Sequence, residues 1–541
     1  MMRKVLDVAW LIVMAFLALW AVTSLWWPWG RDQSVMGFMG HLIVDGKMPY
    51  VDAVYINAPG GYLLHALLET VSGTARWSLR LLDLGFLALT GWALSGLGKA
   101  LHSVRAGRWA FAFFVLFYAS TGFWHTAQRD GWAAMMLSWG FALTCGLGQP
   151  CTRAGRGWQA VAWGKAALAG LLLGLVVLLK PLYLGLALPM LIWVVERGRD
   201  SSQPGAPAKP KGDPLWQALV AGALGMSLPL LGVLLWLHRG SALLPAYEQI
   251  VLFNSRIYAN VQRLDLLSSG AVLATTLFLW GPVLLALTMV GVRYLFVNRV
   301  PGRWALAVIW PAVAAAIIVI QGRFFAYHWH GLNMALALLG GVGLMELVAW
   351  EARPTQDKPA IPQWAHVAAI SVVLALLVIP SGAQMASSIR WWIADIVVAR
   401  DYGTYLEHFA NSDVSPRINA QVGKYLASHT TPNDSIFEWG LEPDLYLYSG
   451  RELASPLGGS FFLAATLHRA PDLHQKLLQQ LLRDLRRNRP RYFVIVDDDR
   501  NPIMQKTSRQ ALKDEPMLDR YVRDNYRAEI TIEHFQLLRI R

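Results

Sequence analysis

The sequence predicts a polytopic α-helical membrane protein with a soluble α/β domain at its C-terminal end, and three observations lead there. Hydrophobic residues fill 55% of the 541 positions and charged residues only 15%, with mean hydropathy +0.37, which sets the chain apart from soluble domains. Apolar runs approaching the roughly 20 residues that span a bilayer recur about eleven times before residue 388. From Ile389 to Arg541 the composition turns to that of a soluble protein.

The runs cover Val5–Trp26, Leu79–Leu97, Trp109–Phe123, Trp132–Leu147, Val161–Leu179, the short Leu182–Val195, Leu215–Leu237, Ala271–Val292, Trp304–Ile320, Leu332–Trp350 and Trp364–Ile379. The first is read as a retained helix, since it is long and has no clear small-residue cleavage site. Placing Arg3 and Lys4 inside and letting the chain alternate puts Arg105 and Arg108, Arg153 and Arg156, Arg197 to Lys211, Arg299 and Arg303, and Arg353 and Lys358 on the cytoplasmic side, as the positive-inside rule requires. The net charge of +13 is therefore a topological signal and needs no nucleic-acid partner. Residues 1–388 form a transmembrane module with a first outside loop over 27–78 and a cytoplasmic linker over 196–214, rich in Ser, Pro, Gly and Lys.

The expected outside loops gather the unusual polar residues: Asp32 and Asp52 in the first, then Asp130, Lys180, Glu248, Arg256, Arg323, Tyr327 and His328. Ionisable groups beside a bilayer are costly unless paired or watered, so their collection on one face marks a candidate site; each taken singly is as well explained by a snorkelling or water-facing side chain. Cys145 and Cys151 have no nearby His partners and are read as inert.

The soluble segment, 389–541, reads as alternating helix and strand. Ser415–Ser428 and Leu473–Arg487 have helical spacing, while Asp434–Trp439 reads as a turn into a short strand and Tyr492–Val496 as a strand of buried type. The acidic triplet Asp497-Asp498-Asp499 is better explained as a solvated turn than as a metal site.

Several motifs occur in a fixed order. The first loop reads Asp32-Gln33-x-Val35, then Asp45-Gly46-x-x-Pro49-Tyr50-x-Asp52, then Ala58-Pro59-Gly60; Gln128-Arg129-Asp130, Leu179-Lys180-Pro181 and Gln321-Gly322-Arg323-Phe324-Phe325-Ala326-Tyr327-His328 follow. In the soluble segment come Thr431-Pro432-Asn433-Asp434-Ser435-Ile436, Trp439-Gly440 and Ser449-Gly450-Arg451. The set resembles the bacterial GT-C glycosyltransferases, a superfamily that includes the aminoarabinose transferases of lipid A and the protein O-mannosyltransferases, and the resemblance runs along nearly the whole chain.

The resemblance implies inverting transfer of a sugar from a polyprenyl-phosphate donor to a lipid, glycan or protein acceptor at the periplasmic face of the inner membrane. The N-terminus is then cytoplasmic and 389–541 periplasmic. The acceptor hydroxyl needs a carboxylate base, which by position is Asp32. The leaving lipid phosphate needs cations or a metal, assigned to Lys180, Arg256, Arg323 and His328, with Tyr327 beside them. Asp130, next to Arg129, matches the second acidic position. Tyr50, Asp52, Arg129 and Glu248 are assigned to the acceptor or to loop structure, with Asp52 favoured as a cap. No metal ligands are assigned; a divalent cation is admitted but not required. Two departures stand out: Asn57-Ala58-Pro59 occupies the place of a Lys-Pro-Pro common among relatives, and Asp32 lacks a second acid beside it. A ligase or polymerase moving whole lipid-linked glycans shares this chemistry. A transporter or flippase would carry midplane charges and internal repeats, and a scaffolded sensor would not need the polar loops.

Overall fold

The computed structural model describes residues 2–73, 75–145, 156–200, 214–261, 263–351, 363–411, 414–497 and 506–541. Most of the 196–214 segment expected as a cytoplasmic linker, together with Cys151, Arg153, Arg353, Lys358, Asp498 and Asp499, lies outside them. The chain divides into two compact units, each assembled from three separate segments: Met1–Leu25, Arg80–Val233 and Leu264–Arg390 form the first, and Trp26–Leu79, Leu234–Arg263 and Trp391–Arg541 the second.

The first unit is helical. Among the described residues, six helical spans are long and apolar enough to cross a membrane: Lys4–Ser24, Trp77–Leu101, Val161–Leu179, Leu215–Arg239, Ala326–Trp350 and Trp364–Val398. A seventh is reached if Leu266–Leu279 and Pro282–Val297, bent by 93° at their junction, count as one span; proline at the start of the second piece and glycine before it account for the break. The remaining apolar runs lie largely on shorter helices, Val104–Ser120, Arg129–Thr144, Ala187–Asp200 and Trp310–Gln321. Several apolar helices and the composition make this a multi-pass membrane protein.

The helix His330–Glu351 is the centre of this unit. With small residues at its contact faces it lets neighbouring backbones approach closely: a Cβ at Gly341 would lie 2.3 Å from the carbonyl oxygen of Ala106, and one at Gly343 1.9 Å from that of Leu287. Gly343→Val is accordingly expected to overpack the contact and cost about 1–3 kcal/mol, read as a lower melting temperature in detergent; an unchanged melting temperature would mean that the helices separate without cost.

The second unit contains a five-stranded sheet in the order β2-β1-β3-β5-β4, where β1 is Ser435–Trp439, β2 Glu452–Leu453, β3 Tyr492–Val496, β4 Tyr526–Ile532 and β5 Phe535–Ile540. β2, β1 and β3 run parallel, while β5 is antiparallel to both β3 and β4. The crossover before β3 is the amphipathic helix Pro471–Asn488, which buries Leu478, Leu481, Leu482 and Leu485 against Phe437, Phe493 and Ile495. The helix stops at Arg489, which is left-handed with φ 40, and Pro490 follows. Phe253, Ile257 and Tyr258 join the same core, and Val54 N–H donates to the Pro456 carbonyl at 2.9 Å. These contacts tie two segments distant in sequence to the sheet.

Candidate functional site

Asp130 is the second residue of the helix Arg129–Thr144 and only 1% exposed. A buried carboxylate must be paired or hydrogen-bonded, and this one is both. Lys180 Nζ sits 2.9 Å from Oδ1 and 3.2 Å from Oδ2, and the Tyr183 hydroxyl donates to Oδ1. Lys180 also donates to the Gln321 side-chain oxygen and lies over the rings of Tyr183 and Tyr327 at 5.5 and 5.9 Å.

Local structure explains how these groups meet. Lys180 ends the helix Arg156–Leu179, and Pro181 opens a 3-10 turn, Pro181–Leu186. With three residues per turn, Tyr183 returns to the side of Lys180. Gln321 is the last residue of its helix, closed by left-handed Gly322 (φ 64). Phe324, also left-handed (φ 52), turns the chain into the short helix Ala326–Trp329, where His328 packs edge-on against Tyr327 at 4.6 Å.

The start of the Asp130 helix is itself held by a second buried acid. Asp83 accepts from the Tyr118 hydroxyl at 2.7 Å and from the Trp132 indole at 2.8 Å, while Ala127 N–H donates to the same Tyr118 oxygen at 2.6 Å. His330 Nε2 is 2.9 Å from the His125 carbonyl oxygen. The turn before Asp130 is thus fixed from two directions.

In the second unit, Asp32 is the second residue of the helix Arg31–Val44 and is half-buried. Its carboxylate has no hydrogen-bond or ion-pair partner among the described residues. Its neighbours are committed elsewhere: Gln33 accepts from Gly30 N–H at 2.9 Å to cap the helix, and Arg31 is paired with Glu442 at 2.8 Å, both nearly enclosed. Asn419 donates to the other Glu442 oxygen at 2.7 Å. Burial pushes the Glu442 carboxyl up from its ordinary range, against the opposing pull of Arg31. Because the folded value is raised, the stability this group contributes is present at low pH and fades as pH rises through that value. Arg31→Met is expected to cost about 3 kcal/mol by stranding Glu442, with Asn419 keeping the loss at the low end. Arg31→Met combined with Glu442→Leu should recover most of it; a double variant as unstable as the single would show that the pair is not what is lost.

The other assigned residues in this unit are loop-forming or exposed. Asp52 accepts from Met48 N–H at 2.6 Å, closing a turn. Tyr50 is left-handed (φ 70) and donates its hydroxyl to the Asn57 carbonyl at 2.8 Å. Glu248 is exposed, and the neighbouring Gln249 makes the contacts, donating to the Tyr50 carbonyl at 2.8 Å and accepting from Tyr55 N–H at 3.1 Å. Arg256 is exposed at the end of Asn254–Arg256. The first unit therefore brings Asp130, Lys180, Tyr327 and His328 into one cluster, with Arg129 buried beside Asp130 and Arg323 in the turn after Gln321. Tyr183 and Asp83 are members or supports that lie outside the motifs, and Gln321, which opens one of them, carries no assigned role there.

No protein-family model matches the chain, and no curated protein matches it. Solved structures do. ArnT from Cupriavidus metallidurans bound to undecaprenyl phosphate is 16% identical with a TM-score of 0.58, covering 98% of this chain and 97% of that one. Its apo form is 17% identical with a TM-score of 0.56, covering 98% of each. The chain shares the fold of these ArnT structures. An oligosaccharyltransferase of Archaeoglobus fulgidus, tethered to an acceptor peptide containing the NVT sequon, is similar in fold at 12% identity and a TM-score of 0.50, over 90% of this chain and 69% of that one. A divalent cation fits the residues poorly: among the described residues no three His, Cys, Asp or Glu side chains gather as a ligand set, and Asp130 already accepts from Lys180 and Tyr183.

Proposed function

We propose that the protein is a membrane glycosyltransferase that moves a sugar from a polyprenyl-phosphate donor to an acceptor hydroxyl at the periplasmic face of the inner membrane, with inversion. The observation that carries this reading is the GT-C fold over the full chain, joined to a lysine held on a buried aspartate in that fold. The ArnT structure was obtained with undecaprenyl phosphate, and a donor on a lipid phosphate of that kind accounts for the cationic residues.

In this reading the acceptor oxygen attacks the anomeric carbon from the face opposite the phosphate, and Asp32 takes its proton. A carboxylate with no partner among the described residues suits that role, since none of their bonds has to be broken before it accepts. The bond from the anomeric carbon to the phosphate oxygen breaks, its electron pair stays with the phosphate, and polyprenyl phosphate departs. Lys180, Arg256, Arg323 and His328 are assigned to the charge that develops there. Asp130 and Tyr183 orient the lysine, and no step is routed through a metal. About eleven spans, a cytoplasmic N-terminus and a periplasmic 389–541 domain belong to the same proposal.

The test uses the purified full chain in proteoliposomes with a polyprenyl-phosphate sugar and an envelope extract as acceptor. The expected result is consumption of the donor with release of polyprenyl phosphate. The mass gained by the acceptor separates a single sugar from a whole lipid-linked glycan. Uptake of a solute with no donor consumed would favour a transporter.

A further inference from the structure

We propose that a groove between the helices Met2–Ser24 and Val104–Ser120 binds the head group of an anionic phospholipid. Asp7, Trp10, Leu11, Arg105, Arg108 and Trp109 line it around about 460 Å³ of space open to solvent. The two helices meet near their N-terminal ends, Asp7 on one pairing with Arg105 on the other through Nε at 2.9 Å and one Nη at 3.0 Å. That fork neutralises one arginine. Arg108 is exposed, and among the described residues its guanidinium has no carboxylate within ion-pair distance, although the Asp7 carboxylate feels its charge; it lies over the Trp10 ring at 5.5 Å. The groove therefore keeps a net positive charge, with Lys4 exposed one turn before Asp7.

Three features select a lipid over a dissolved anion. The Trp10 indole donates to the Arg108 carbonyl at 3.1 Å, which fixes an aromatic side chain at the groove wall, as at the head-group level of a bilayer. Trp109, 2% exposed, lines the groove, and its indole N–H makes no hydrogen bond among the described residues, leaving a donor for a phosphate oxygen. Val8, Leu11 and Ile12, on the same turns of the first helix, are more than half exposed and offer the apolar surface that acyl chains need. Basic and aromatic side chains beside an apolar strip at the end of a spanning helix are the chemistry that retains phosphatidylglycerol-type lipids. This proposal is independent of the sugar-transfer reading.

Native mass spectrometry of the full-length protein, exchanged into detergent with equal phosphatidylglycerol and phosphatidylcholine, tests it. The wild-type protein is expected to retain phosphatidylglycerol at least fivefold better, and Arg108→Gln to remove about fivefold of that preference, the worth of one cation near the surface. Arg108→Lys should keep it, and millimolar inorganic phosphate should not displace the lipid. Equal retention of the two lipids by the wild-type protein would overturn the site, as would an unchanged preference in Arg108→Gln. Displacement by inorganic phosphate would also overturn it, making the groove a site for a free anion.

Discussion

Asp32→Asn is expected to lower sugar transfer by about 10²–10⁴-fold, the usual worth of a positioned general base, while leaving the protein folded. The geometry makes the two effects separable. Asp32 has no intramolecular partner among the described residues, and the helix it opens is capped by Gln33 and anchored through Arg31. The substitution therefore removes only the favourable charge at a helix start, about 0.3–1 kcal/mol. Donor turnover and melting temperature measured on the same preparation check this. Retained turnover would remove Asp32 as the base, and a collapse in melting temperature would recast it as a structural residue.

Lys180→Met carries the second large effect. Asp130 is 1% exposed, and loss of its ammonium partner leaves a buried charge with the Tyr183 hydroxyl as its remaining hydrogen-bond donor among the described residues and the Arg129 charge beside it. Breaking a buried pair from one side costs about 3–5 kcal/mol. If the lysine also meets the leaving phosphate, turnover falls by about 10²–10³-fold as well. Lys180→Met with Asp130→Asn distinguishes the two roles. The double variant should regain most of the stability, since no unpaired charge remains, but none of the activity. Recovery of both would confine the pair to folding.

Much of the fold was legible because membranes and strands leave strong periodic signals. The apolar runs marked the helices, and the leucine spacing of 477–485 marked the amphipathic helix Pro471–Asn488. The grouping of segments was not legible. Nothing in the composition of 26–79 or 234–263 shows that Val54 bonds to Pro456 or that Phe253 packs on Phe462; such contacts depend on side chains meeting across hundreds of residues.

The candidate site divides the same way. Asp130 and Lys180 were visible as charges in apolar surroundings, but their pairing across 50 positions was not. Tyr183 and Gln321 carry no charge to flag them, although a tyrosine three residues after Lys180 across a proline-led turn was the available signal. Asp83 was hidden inside a run read as apolar. At position 248 the charge drew attention, whereas the neutral neighbour Gln249 makes the bonds. Nor does any local pattern show that Arg31, beside Asp32 in sequence, pairs with Glu442, 411 positions away.

The most direct test of the central claim is mass spectrometry of envelope lipids and glycans from a deletion strain complemented with the wild-type chain or with Asp32→Asn. Sugar transfer by this protein predicts that the wild-type chain restores one glycosylated species missing from the deletion strain. Under Asp32→Asn that species should stay absent while the polyprenyl-phosphate sugar accumulates. Identical envelope profiles in all three strains, or full restoration by Asp32→Asn, would contradict it.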